Sequence, residues 1–248
     1  MKRLFLAIAF LLISCQCFAG GVVMMGGGVP AAAAAFCSGC GTGATPVFCW
    51  GISADDTTIT NSDGCSQGDT TATLVSAADI VSNPSGSGYA LTIPGSYDTA
   101  AFDVTTDNIF NDEAGTIQFD VYIVTFVDSG VILRVIGEAA TNELFIYIVF
   151  TDELRVYHEG NNAGQTFATT NTANLQANTW YTVTIKWTTA NVDPNLSIEV
   201  AGMGTAGTSN TNLTAWTTAP ATFYWGTRGS ALTPAFYIKN IKVWDSWQ

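Results

Sequence analysis

Residues 179–188 read TWYTVTIKWT. Tyr181, Val183, Ile185 and Trp187 fall on one side of this stretch, and Trp180, Thr182, Thr184 and Lys186 on the other. A period of two in β-branched and aromatic residues marks a strand with one buried face. Residues 115–125 repeat the pattern, with Ile117, Phe119, Val121 and Ile123 alternating with Thr116, Gln118, Asp120 and Tyr122. Further strands are expected near 47–51, 73–76, 88–93, 99–104, 130–137, 143–150, 153–158, 165–170, 195–201, 211–216, 222–226 and 235–245. ELFIYIVF (143–150) is apolar on both faces, as for a central strand covered on each side. Asp152-Glu153 closes it into a hairpin with 153–158, and Glu159–Gly164 favours positive φ in a second hairpin.

In FYIKNIKVW (236–244), Ile238 and Ile241 stand an odd step apart, which a bulge at Lys239-Asn240 reconciles. No 12-residue window carries a capped helical period. Many short strands at spacings of about 8–12 residues argue for an all-β sandwich, jelly roll or barrel.

Outward from this domain, assigned to 47–248, the chain changes character. Lys2-Arg3, the ten apolar residues Leu4–Ile13 and the small residue Ala19 form an export signal over 1–19. Leu12-Ile-Ser-Cys15 reads alternatively as a lipobox with Cys15 as the lipidated residue. Either reading expects a secreted or cell-surface protein, and no later segment has the apolar length of a spanning helix. Residues 20–46, rich in Gly and Ala, read as a flexible leader.

The formal charge is −12, and loss of Lys2 and Arg3 with the signal takes it to −14. So few cations exclude nucleic acid as a partner and disfavour anionic membrane surfaces. Cys37, Cys40, Cys49 and Cys65 remain after cleavage at Ala19, an even number that suits disulfides in an exported protein. Of the three connectivities, Cys37–Cys40 with Cys49–Cys65 is the most local and the one expected. Gly41 in place of His excludes a c-type haem site at Cys37-Ser-Gly-Cys40. Zinc lacks a second ligand pair there, and a thioredoxin-like site lacks its βαβ context.

GTIQFDVYI (115–123), ELFIYIVFTDELRVYHEGN (143–161), NTWYTVTIKW (178–187) with LSIEVAG (196–202), and FYIKNIKVWD (236–245) together carry a family likeness. The chain resembles the concanavalin A-like lectin/glucanase superfamily in its laminin-G-like branch. In that family the Trp-Tyr strand lies in the core, and the last strand usually carries Asp-Asn or Asp-Asp where this chain has Lys239-Asn240. The resemblance implies an antiparallel two-sheet jelly-roll sandwich, loop-rim calcium in some members, and sugar binding or glucan hydrolysis in others.

Each implied chemistry can be tested on residues. Hydrolases of the superfamily carry Glu-x-Asp-x-x-Glu, and none of Glu113, Glu138, Glu143, Glu153, Glu159 and Glu199 has Asp two positions later. His158 is the only histidine, no Gly-x-Ser-x-Gly elbow accompanies it, and its strand-end position suits a surface or hairpin residue. Calcium could draw on Asn191, Asp193 and Asn195, or on Asp128 and Asp152, but 191–195 lacks the Gly and Glu of an EF-hand and reads as a polar turn. Asn195-Leu-Ser and Asn212-Leu-Thr match glycosylation acceptors.

Sugar binding needs exposed rings beside fixed polar groups, and Arg155, Tyr157, Tyr224, Trp225 and Arg228 are the candidates. Trp180, Tyr181 and Trp187 are expected to pack. The resulting expectation is a non-catalytic recognition module for carbohydrate or a glycosylated surface partner. The alternatives are a structural or adhesive component of a surface assembly and a divergent glycoside hydrolase.

Overall fold

The computed structural model describes residues 46–52, 58–59, 70–103, 109–138, 141–149, 152–161, 165–170, 175–226 and 233–248. The expected signal, its Cys15, the leader as far as residue 45, and Cys37, Cys40, Cys65 and Arg228 lie outside the described residues. Cys49 is fully buried and disulfide-bonded, to a cysteine that also lies outside them.

In chain order the first strands are β1 (Phe48–Trp50), β2 (Thr58–Ile59), β3 (Thr70–Thr71), β4 (Thr73–Val75), β5 (Asp79–Ser82) and β6 (Tyr89–Ile93). There follow β7 (Thr99–Asp103), β8 (Ala114–Thr125), β9 (Val131–Gly137), β10 (Glu143–Val149), β11 (Glu153–Glu159) and β12 (Gln165–Thr169). The last are β13 (Trp180–Thr188), β14 (Leu196–Val200), β15 (Met203–Ser209), β16 (Pro220–Gly226) and β17 (Ala235–Trp244). Among the described residues there is no helix, and the strands build an antiparallel two-sheet sandwich.

The eight-stranded sheet runs β15-β14-β13-β8-β17-β6-β5, with β1 also paired to β17. The seven-stranded sheet runs β12-β11-β10-β9-β16-β7-β4, and β2 and β3 form a separate pair. Every register in the two large sheets is antiparallel, and neighbours in space come from distant parts of the chain.

The alternation in TWYTVTIKWT sorts its residues as expected. Val183, Ile185 and Trp187 are inaccessible, and Tyr181 packs partly buried against the same core. Trp180, Thr182, Thr184 and Lys186 are half-buried on the outward face. β8 does the same with Ile117, Phe119, Val121 and Ile123 inward, so the two strands sit side by side with matched phases. Phe102, Phe223 and Trp225 reach the core from the other sheet, where Phe119 meets Trp225 edge-on at 4.8 Å.

Glycine has a steric task opposite Trp187. Gly115 is its register partner, and a Cβ there would lie 2.2 Å from the indole Cζ2. Trp187 also stacks on Phe110 at 4.9 Å and donates from Nε1 to the Asn111 carbonyl at 2.9 Å. Phe110 in turn meets Trp216, which closes that end of the core.

The expected bulge is present. Lys239 pairs with Asp120 and Lys242 with Gln118, so three steps on β17 match two on β8, and Asn240 adopts φ 55°. Both expected hairpins also form, with Asp152 (φ 55°) and Asn161 (φ 53°) taking the positive φ of their turns.

Three expectations need correction. The strand expected at 211–216 is an irregular segment, and the chain pairs earlier, as β15. MGTAGTS offers no alternation to read; its small residues permit close approach, since a Cβ on Gly207 would stand 1.8 Å from the Thr169 carbonyl oxygen. The short edge strand β5 was not expected, its four residues being too few to show a period. Residues 143–149 are not covered on both faces: Leu144, Ile146 and Ile148 are core, whereas Phe145 and Tyr147 lie half-buried on the outward face.

Candidate functional site

The sequence-expected binding residues are dispersed. Arg155 and Tyr157 do come together on β11, facing away from the core. Arg155 donates from Nε to Thr169 Oγ1 (2.8 Å) and from a terminal nitrogen to the Tyr147 hydroxyl (3.3 Å), and its guanidinium lies 4.8 Å from the Phe167 ring centre. The Tyr157 hydroxyl donates to the Glu159 carboxylate, and its ring packs 4.3 Å from Phe145. Burial, and then the Glu159 carboxylate, hold that phenol well above its usual range. The polar ends of both residues are therefore engaged within their own sheet face. Phe167, 51% exposed, is the open ring beside them, on an edge strand whose alternation is too short to single it out.

Tyr224 faces outward three strands away but is only 8% exposed. Trp225 is the clear correction. It follows Tyr224 on β16 and so points into the sandwich, fully buried between Phe119 and Phe223, where no sugar can reach its ring. Arg228 belongs to the undescribed 227–232.

His158 is another correction. It is buried, not on the surface, because β11 turns it inward with Leu154 and Val156 toward Trp216, 6.3 Å between ring centres. Burial lowers its pKa from 6.5 to about 4, so the ring is neutral at ordinary pH, and its Nε2 has no hydrogen-bond partner among the described residues.

A recess lies elsewhere, on the outward face of the eight-stranded sheet. It is a hollow of about 450 Å³ over β13, β8 and β17. β8 supplies Thr116 and Gln118, β13 supplies Thr182, Thr184 and Lys186, and β14 supplies Glu199 and Ala201 as the strand ends. Lys242 and Trp244 line it from β17, and Gln248 closes one side. These are the outward halves of the alternating strands, so the pattern that built the core also lined the hollow.

Its polar groups are held in place. Gln118 donates to Thr184 Oγ1 at 3.2 Å, and Gln248 N donates to Thr116 Oγ1 at 3.0 Å. Thr116 Oγ1 donates onward to the Ser246 carbonyl at 2.9 Å. Just beyond, Asp120 accepts from Thr182 Oγ1 and from Asn240 Nδ2, both at 2.6 Å. An aromatic group borders this network: Trp180 packs 5.4 Å from Tyr122, carries the Lys239 ammonium 4.1 Å from its ring centre, and donates to Asn83 Oδ1. Trp180 is thus an outward-facing residue, not a core one.

These hollow residues were not singled out from sequence. The signal was the polar phase of the two strongest strands, Thr116/Gln118/Asp120 and Thr182/Thr184/Lys186, which reads locally as a merely solvated face.

Among the described residues no group of three or more His, Cys, Asp or Glu side chains gathers as a metal site would require. At the turn considered for calcium, Asn195 is buried and its Nδ2 donates to the Ala190 carbonyl at 2.5 Å, pinning the β13–β14 connection. The same burial removes Asn195 as a glycan acceptor in the folded chain, whereas Asn212 is exposed. No helix among the described residues is long and apolar enough to cross a membrane.

No protein family and no curated protein matches the sequence. Solved structures do share the fold. The receptor-binding domain of a botulinum neurotoxin C/D mosaic serotype aligns with TM-score 0.60 at 11% identity, over 82% of this chain and 48% of that one. Trypanosoma rangeli sialidase aligns with TM-score 0.57 at 18% identity, over 81% of this chain and 30% of the enzyme. The botulinum neurotoxin D receptor-binding domain gives TM-score 0.53 at 12% identity, over 72% and 45%. The chain spans less than half the length of each of these proteins, and the likeness is one of fold: this chain is a β-sandwich of the kind those proteins contain.

Proposed function

We propose that this chain is an exported, non-catalytic recognition module of the laminin-G-like, jelly-roll type, binding carbohydrate or a glycosylated surface partner through the outward face of its eight-stranded sheet. The observation that carries the reading is the hollow itself, which sets hydroxyl, amide, ammonium and carboxylate groups beside the indole of Trp244. Pyranose rings are held by that combination, one face against an aromatic ring and the hydroxyls on fixed polar groups. Because Gln118, Thr184 and Thr116 are already tied to neighbours, little side-chain ordering is left for the ligand to impose.

The fold likeness to toxin receptor-binding domains and to a sialidase supports a β-sandwich used for recognition. The absence of Glu-x-Asp-x-x-Glu from the sequence, and a hollow in which Glu199 is the one acidic side chain among the described lining residues, support binding without hydrolysis. Export follows from the signal over 1–19, with a lipid anchor at Cys15 as its variant.

The test is a glycan array probed with the purified domain, alongside Gln118→Ala and Trp244→Ala variants. Saturable binding that both variants weaken about tenfold is the expected result, a loss of about 1.4 kcal/mol. A blank array, or binding indifferent to both substitutions, refutes the proposal.

A further inference from the structure

The hollow is walled on three sides. Along β8 its floor runs from Thr116 past Gln118 toward Asp120, four residues or roughly 14 Å. At the Thr116 end, residues 246–248 cross the sheet. Thr116 Oγ1 donates to the Ser246 carbonyl at 2.9 Å and accepts from Gln248 N at 3.0 Å, which leaves Thr116 only 2% exposed. On the β17 flank, Cys49 of β1 is the register partner of Lys242 and so faces the same way. Cys49 is fully buried, so the open surface does not continue past β17.

The third wall is a bar across the strands. Trp180 lies two residues before Thr182 on β13 and faces the same way. Its Nε1 donates to Oδ1 of Asn83, the first residue of the loop that joins β5 to β6. β6 is three strands from β13, so the loop and the indole together overhang roughly 14 Å of sheet to meet. Lys239 reaches the same way from β17, and its ammonium lies 4.1 Å from the Trp180 ring centre, so its stem passes over β8. The bar stands at the Asp120 end of the floor, because Lys239 is the register partner of Asp120. Asn83 pins the loop as well: its Oδ1 accepts from Ser85 N at 3.1 Å, and its Nδ2 donates to the Ser87 carbonyl at 3.1 Å.

The fourth side is open. Glu199 near the end of β14 and Ala201 just past it are both exposed, and Gly202 and Gly204 beyond them have no side chain to obstruct entry. We propose that the hollow is a dead-end pocket for the end of a glycan chain, entered from β14, and that Asn83 and Trp180 set this specificity by barring passage along the sheet. A chain held by its interior needs a second exit, and the three walls leave none. The volume of about 450 Å³ suits one small ligand or the last sugars of a longer one. This inference rests on the carbohydrate reading and narrows it to chain ends.

The experiment uses a glycan array on which each disaccharide is printed through its reducing end in two forms. In one the far sugar is free, and in the other a further hexose caps it. The wild-type domain should bind the uncapped member of a hit pair about tenfold or more tightly. Asn83→Ala with Trp180→Ala should still bind the uncapped member and cut the preference to about threefold or less, because the capped chain can then run out over Tyr122. Lys239→Ala, which removes the stem and leaves the loop, should cut it partway.

Equal or tighter binding of the capped members by the wild-type protein overturns the dead-end assignment and leaves the carbohydrate reading standing. A terminal preference that stays unchanged in the folded variants overturns the assignment of the wall to Asn83 and Trp180. A blank array removes both readings together. The preference is read first on the unmodified protein, and Lys239→Ala keeps the bar testable should the double variant fail to fold.

Discussion

His158 should make this domain less stable in acid. His158 is buried against Trp216, and burial lowers its pKa from 6.5 to about 4. In the unfolded chain the imidazole returns to about 6.5. Between those values the unfolded state binds the extra proton, so stability rises with pH across the window. The contribution is complete above pH 6.5 and is lost as pH falls toward 4. At pH 4 a shift of this size amounts to about 3 kcal/mol, and for a domain near 200 residues that is roughly 6–12 °C in Tm.

Carboxylates titrate over part of the same range, so the measurement must be a difference. Urea unfolding of wild type and His158→Gln at pH 7 and pH 4 provides it. The variant loses packing at both pH values, but its stability should fall less between them, by about 3 kcal/mol. Parallel pH profiles for the two proteins would refute the argument, because they would mean that His158 is protonated in the folded state at little cost.

Two further predictions concern packing. Trp225→Ala should cost about 3–5 kcal/mol in urea unfolding, because it empties a core site between Phe119 and Phe223. If that variant also loses ligand, the loss should track unfolded fraction and vanish under stabilising conditions, as expected of a residue that touches no ligand. Gly115→Ala should cost about 1–3 kcal/mol by driving a methyl into the Trp187 indole, with a blue or red shift of tryptophan fluorescence reporting the displaced ring. An unchanged urea midpoint would show that the ring can move aside freely.

The fold was legible because a half-buried strand announces itself locally. Which of two alternating sets is inward can be read from residue type alone, and TWYTVTIKWT and GTIQFDVYI needed nothing else. Trp225 was misread for a related reason. In PATFYWG the aromatic residues at 223, 224 and 225 leave both phases apolar, so the sequence does not say whether Tyr224 or its neighbours face the core. His158 failed differently: a polar residue in an inward phase is ordinarily a sign that the strand has ended, whereas β11 continues to Glu159. The hollow was illegible because its groups meet across 66 residues at Gln118–Thr184 and across 120 at Asp120–Asn240. No local window contains those pairs.

One device joins the legible part to the illegible part. In an unbroken strand, Lys239 and Lys242 would point to opposite faces, since three steps reverse the side. The bulge at Asn240 absorbs the extra residue, so Ile238 and Ile241 both enter the core while Lys239 and Lys242 both leave it. The apolar spacing alone required the bulge, as two isoleucines at an odd interval could not otherwise both be buried. Its consequence on the far side is that Lys242 stands across β8 from Lys186 instead of under the sheet. A charge that a two-sheet core could not have tolerated is thereby delivered to the recess, and the constraint that makes the last strand foldable also sets the electrostatics of the face it completes.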